Sequence, residues 1–212
     1  MFISHKFKTI FIHIQKTGGN SVEKLFNKYD KNMVRRVEIQ KNIYRSKHCF
    51  ALDVKNAVDD AIFKKYLKFA IVRNPFDRLV SWWEMMNHQT GILNDVMTAV
   101  RKEANNFDEF CILPKAGGGG LFERFYVNQM DYLTQNGEIL VDHILRFENF
   151  SHDLNNLMKL IGLKNFWGNV PQIPHINKSK REKSYQVYYT PELQNMIADR
   201  YKKDLNFFNY QF

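Results

Sequence analysis

Apolar and polar positions change their period several times along the chain. Residues 9–14 are almost continuously apolar (Ile10, Phe11, Ile12, Ile14), which predicts a strand buried on both faces. From Ser21 the period lengthens. Val22, Leu25, Phe26 and Tyr29 stand at i, i+3, i+4 and i+7, so a helix with one buried face follows the strand. A second helix is predicted over 53–66, where Val54, Ala57, Val58, Ala61 and Ile62 form a stripe. Lys68-Phe69-Ala70-Ile71-Val72 then reads as another buried strand, and Asn74 and Pro75 open a third helix as cap and first-turn residue. Strands alternating with helices predict an α/β fold with a central parallel sheet flanked by helices.

The middle of the chain is less regular. Residues 107–114 are apolar and short, and Gly117-Gly118-Gly119-Gly120 forms a loop, either a rim over a site or a connector. Asn136-Gly137 predicts a hairpin turn. Ser151 is placed as the cap of a helix carrying Leu154, Leu157, Met158 and Ile161 and ending at Gly162; Thr190-Pro191 starts the last helix, with Leu193, Ile197 and Tyr201 on one face. No internal repeat or domain boundary interrupts the pattern, so residues 1–212 are expected to form a single domain.

Composition narrows the partners. The 31 Lys and Arg exceed the 22 Asp and Glu, giving a net charge of +9 that favours polyanions. Aromatic residues make up 15%, which suits a packed core and sugar or base stacking alike. Cys49 and Cys111 stand far apart with no CxxC pattern, so neither a zinc framework nor a disulfide scaffold is expected. With no apolar leader and no stretch of membrane-spanning length, the expected location is cytoplasmic.

The chemistry concentrates in two places. At the first, Lys16-Thr17-Gly18-Gly19-Asn20-Ser21 joins strand to helix. Two glycines let backbone N–H groups approach an oxyanion, Thr17, Asn20 and Ser21 add donors, the helix adds its positive end, and Lys16 adds a mobile charge. The lysine precedes the glycines, whereas in an NTPase P-loop it follows them as G-x-x-x-x-G-K-S/T. The same spacing also fits a plain strand-to-helix turn. At the second, Arg73 ends a predicted parallel strand, where open α/β sheets take ligands and a guanidinium fork suits phosphate. Alone, Arg73 fits equally an ion pair with Asp77 or another carboxylate.

Both segments resemble one family. Ile10 to Ser21 reads closely as the 5′-phosphosulfate loop F-I-H-I-P-K-T-G-G-T-S of the carbohydrate sulfotransferases that use 3′-phosphoadenosine 5′-phosphosulfate (PAPS), with Gln15 and Asn20 in place of Pro and Thr. Phe69 to Ser81 resembles the 3′-phosphate motif V-R-N-P-x-D-R-L-V-S of that family, sulfotransferase family 2, related to heparan and chondroitin sulfotransferases. The resemblance implies a P-loop-like sulfotransferase fold. It also implies PAPS as donor and 3′,5′-ADP (PAP) as product, with no metal; Thr17, Gly18, Gly19, Asn20 and Ser21 grip the phosphosulfate, and Arg73 and Ser81 the 3′-phosphate. Lys16 would stabilise charge on the leaving phosphate. Arg78 and Asp77 read as fold-stabilising charges.

Lys47-His48-Cys49-Phe50-Ala51 resembles the K-H-x-x-A stretch of bacterial-type members, which implies His48 as the base for an acceptor hydroxyl; a capping or packing role fits the same position. His13, inside the first strand, is expected to be buried and hydrogen-bonded. The segment 142–150 resembles the family's D-x-x-x-R-F-E-x-L element, with Arg146 and Glu148 as buried or paired charges. His175, Asn177 and Ser179, then Tyr185, resemble its C-terminal pattern, in which Lys178, Arg181 and Tyr185 would meet nucleotide or acceptor, or form a solvated basic loop.

The expected activity is therefore sulfuryl transfer from PAPS to a hydroxyl, with a carbohydrate acceptor and no nucleic-acid partner. The alternatives are a nucleotide-dependent, kinase-like enzyme and a non-enzymatic module that binds polyanions through its basic face.

Overall fold

The two apolar runs become neighbouring strands. A computed structural model describes residues 1–37, 47–88, 95–113, 122–173 and 184–212. Its elements in chain order are β1 (Phe2–Ser4), β2 (Thr9–Ile12), α1 (Gly19–Tyr29), α2 (Ala51–Ala57), α3 (Asp60–Lys65), β3 (Leu67–Val72), α4 (Pro75–His88), α5 (Asp95–Glu103), α6 (Phe107–Ile112), α7 (Gln129–Leu133), β4 (Thr134–Gln135), β5 (Glu138–Ile139), β6 (His143–Arg146), α8 (Phe150–Leu160), α9 (Pro191–Arg200) and α10 (Lys202–Phe208). The main sheet has the order β1-β2-β3-β6. β2, β3 and β6 are parallel, with Phe11 opposite Phe69 and Ile71 opposite Leu145. β1, which the sequence pattern did not announce, is an antiparallel edge strand.

The chain divides into two compact units, Met1–Arg73 with Gln129–Lys178, and Asn74–Asn128 with Ser179–Phe212. In the first, Phe11, Phe69, Ile71 and Leu145 pack with Val22, Leu25 and Phe26 of α1 and Leu154, Leu157 and Met158 of α8. The alternate strand residues Ile10, Ile12, Ala70 and Val72 are equally buried. Burial on both faces is why these strands read as unbroken apolar runs. In the second unit the core is largely aromatic: Phe76 and Trp82 of α4, Phe107 and Phe110 of α6, then Phe125 and Tyr201. Much of the aromatic content is thus spent on packing.

Several local expectations change. The predicted helix over 53–66 is two helices, because Val58 turns extended (φ −115°, ψ 161°) and Asp59 restarts the helix by accepting from the Ala61 N–H at 2.7 Å. Ala57 and Ala61 are exposed, so the apparent stripe was not one. Ser151 is not the cap of α8; Asn149 holds that position, fed by a short 3-10 turn at Phe147–Asn149. Thr190 does cap α9, accepting from Leu193 N–H at 3.2 Å, but Tyr201 ends that helix and α10 follows. Asn74 caps α4 through Oδ1, which accepts from Phe76 N–H at 3.0 Å. Asn136 (φ 50°) and Gly137 (φ 85°) form the hairpin turn, between strands of only two residues. Both cysteines are buried free thiols. Among the described residues no helix is long and apolar enough to cross a membrane.

Candidate functional site

The strand β2 stops at Ile12, and the chain enters α1 through a turn with two left-handed residues, Lys16 (φ 70°) and Gly18 (φ 85°). Left-handed backbone on either side of Thr17 gathers N–H groups on one side of the turn. For Lys16 this conformation is strained, as is found where function over-determines the backbone. Thr17 is fully buried, and its hydroxyl donates to the Ile14 carbonyl at 2.9 Å. That proton is committed to closing the turn, so what Thr17 can offer an anion is its main chain. The first turn of α1 carries no acidic residue, which leaves its positive end to an outside anion.

Both glycines are required by contacts. A Cβ on Gly18 would lie 2.9 Å from Phe150 and 3.2 Å from Phe147, and one on Gly19 would lie 2.2 Å from the His13 ring. His13 is 4% exposed and cannot retreat. Gly19→Ala is therefore expected to destabilise the fold by about 1–3 kcal/mol, as overpacking does. A thermal or denaturant melt indistinguishable from the parent would show that the loop has slack that the contacts deny.

Arg73 ends β3 beside this loop. It is 6% exposed, donates from Nη1 to the Lys16 carbonyl at 3.1 Å, and lays its guanidinium over the Phe147 ring at 4.2 Å. Gln129 clasps its main chain from both sides, accepting from Arg73 N–H at 2.9 Å and donating to Arg73 C=O at 2.8 Å. Burial, reinforced by the Arg73 charge, brings the Lys16 ammonium down from 10.5 to about 8. The two charges thus oppose each other just ahead of a helix N-terminus, an arrangement that an anion would relieve.

His48 is half-buried, with Nδ1 2.9 Å from the His13 carbonyl. A carbonyl only accepts, so Nδ1 carries the proton and Nε2 the basic lone pair. The two imidazoles meet edge to face at 4.4 Å. His13 was expected inside the strand and hydrogen-bonded; it lies just past the strand, and its Nδ1 has no partner among the described residues. Burial first, then the facing His48, holds its pKa well below the ordinary range, so it stays neutral. Lys47 reaches back to α1, donating to Asn20 Oδ1 at 3.1 Å and pairing with Glu23 at 3.2 Å.

The first unit therefore brings together Lys16, Thr17, Gly18, Gly19, Asn20, Ser21, Arg73 and His48. Ser21 is buried in the first turn of α1, while Asn20 is exposed. Ser81 belongs to the other unit, half-buried on α4. There Arg78 is 2% exposed and donates to the Val127 carbonyl at 3.2 Å, a fold-holding contact. Tyr185 is half-buried, its hydroxyl accepting from Asn74 Nδ2 at 3.3 Å. Arg146 is half-buried but Glu148 is exposed. Lys178, Arg181 and Gly117–Gly120 lie outside the described residues. Sequence reasoning missed Gln129 and Phe147, which come from distant segments; only Lys47 had a signal, its place beside His48. Among the described residues no group of three or more His, Cys, Asp or Glu could hold a metal ion.

The sequence model of a family described as "Sulfotransferase family" matches residues 1–211. A search of curated proteins finds no match to the chain.

Proposed function

Because the chain belongs to the sulfotransferase family, we propose that it moves a sulfuryl group from PAPS to a hydroxyl of a carbohydrate. The observation that carries the nucleotide part is the bond from the Arg73 guanidinium to the Lys16 carbonyl, in the turn that leads into α1. One cation before a helix N-terminus suits one phosphate; two, one of them on a main chain that Gln129 clasps, suit a donor with two anionic groups. The family resemblance assigns the 3′-phosphate to Arg73, with Ser81 as its second donor, and the phosphosulfate to the loop at 16–21.

PAPS supplies an activated sulfuryl group on a good leaving phosphate. The protein has to place charge and take a proton. Lys16 neutralises charge that grows on the leaving oxygen, assisted by the N–H groups around Gly18 and Gly19. His48 Nε2 accepts the hydroxyl proton, and the Nδ1–H bond to the His13 carbonyl keeps the ring in that tautomer while it becomes cationic. His13, buried and neutral, adds no competing charge. The acceptor is assigned to carbohydrates by family resemblance.

Melting curves with 3′,5′-ADP, 5′-ADP and Mg-ATP test this reading. 3′,5′-ADP is expected to give the largest stabilisation, and Arg73→Ala to remove its advantage over 5′-ADP. A ligand at about 100 times its Kd adds about 2.7 kcal/mol, which a melting curve resolves. A larger shift from Mg-ATP would favour the kinase-like alternative and overturn the assignment.

A further inference from the structure

A second cationic feature lies on α1 and just past its end. Lys24, Lys28 and Lys31 are exposed and line, with Leu25, Asn27 and Gln172, a groove of about 380 Å³. A volume of that order accommodates one or two sugar rings. Lys24 and Lys28 are neighbours at i and i+4 on α1, and Lys31 follows just past the helix end, where Asp30 turns extended. Among the described residues none of the three has an ion-pair partner.

The nearby acids are engaged elsewhere. Glu23, the one acid within α1, pairs with Lys47 at 3.2 Å and Arg35 at 3.7 Å. Asp30 is buried, accepting from the Ser4 hydroxyl at 2.6 Å and from Asn32 N–H at 3.1 Å. Neither Glu23 nor Asp30 therefore pairs with the three lysines. The lysine row also continues the donor site. Asn20, which receives Lys47 beside His48, lies one turn before Lys24 on the same face of the helix.

We propose that this groove is an exosite for a linear acidic glycan, which holds an acceptor chain along α1 while one of its hydroxyls is presented at the loop. The inference rests on the sulfotransferase reading for its choice of a glycan over other polyanions. The three lysines bind carboxylate or sulfate groups, with the Gln172 amide available to sugar hydroxyls.

The test uses the whole chain and a triple variant carrying Lys24→Ala, Lys28→Ala and Lys31→Ala. Its probes are an octasaccharide bearing uronate and sulfate groups, a neutral dextran oligomer and a mixed-sequence DNA strand. Wild type is expected to bind the octasaccharide and not the dextran. The triple variant should bind at least about tenfold more weakly, with a salt dependence shallower by about two to three ions, while its melting shift with 3′,5′-ADP is unchanged. Equal octasaccharide affinity in the two proteins overturns the exosite. DNA bound more tightly than the octasaccharide, and lost equally in the triple variant, overturns the glycan assignment. If neither protein responds to 3′,5′-ADP but the triple variant still loses the octasaccharide, the groove stands and the sulfotransferase reading falls.

Discussion

Lys16→Ala is expected to lower turnover by roughly 10²–10³-fold, the usual cost of removing a donor aimed at developing negative charge. The melting temperature should change little or rise, since the variant removes a cation that burial and Arg73 already disfavour. The same crowding predicts a pH signature. With its pKa brought down to about 8, Lys16 is charged below that pH in the free protein and loses its charge as the pH rises through it. A phosphosulfate bound beside Lys16 would restore the preference for the charged form and push the transition upward. The profile of kcat/KM for the donor, which reports the free enzyme, should fall above about pH 8, while kcat stays level to higher pH. A kcat/KM profile flat from pH 7 to 9.5, or an alanine variant with parental turnover, would remove Lys16 from the chemistry.

His48→Ala should cost about 10²–10⁴-fold in turnover, the range of general base catalysis, and leave 3′,5′-ADP affinity within about twofold. His48→Asn sharpens the test. Its side-chain amide can still donate to the His13 carbonyl, preserving the contact now made at 2.9 Å, but it supplies no base. If the residue only packs or caps, asparagine should rescue; if it takes a proton, asparagine should be as inactive as alanine. Rescue by asparagine would therefore falsify the base assignment.

What the sequence disclosed follows from how far each determinant reaches. β2 and β3 are covered on both faces, and double coverage writes itself as consecutive apolar residues. The hairpin was legible because two adjacent positive φ angles call for Asn-Gly. α2 and α3 merged in the reading because Ala57 and Ala61 are ambiguous: small apolar side chains sit as easily in water as in a core, and the break depends on Asp59. α5 and α6 went unread as helices, although Val96, Met97 and Val100 form a buried helical face once α5 is recognised.

The site divides in the same way. Lys16, Gly18, Gly19 and Arg73 announce themselves by type and place. Phe147, which meets both a Cβ-less Gly18 and the Arg73 guanidinium, and Gln129, which clasps the Arg73 main chain, are contributed by folding. The geometric consequence of Thr17 was also hidden: nothing in its type says that its hydroxyl faces inward to Ile14.

The bond that sets the His48 tautomer ends on a main-chain oxygen. Its acceptor is therefore present whatever side chain residue 13 bears, and no single nucleotide change in that codon can delete it. The orientation of the imidazole is inherited from the path of the backbone rather than from residue identity. Replacements at position 13 that fit beside Gly19 can drift, or be chosen by an engineer, without altering which His48 nitrogen carries the proton. The tautomer becomes vulnerable only to changes that move the strand end itself.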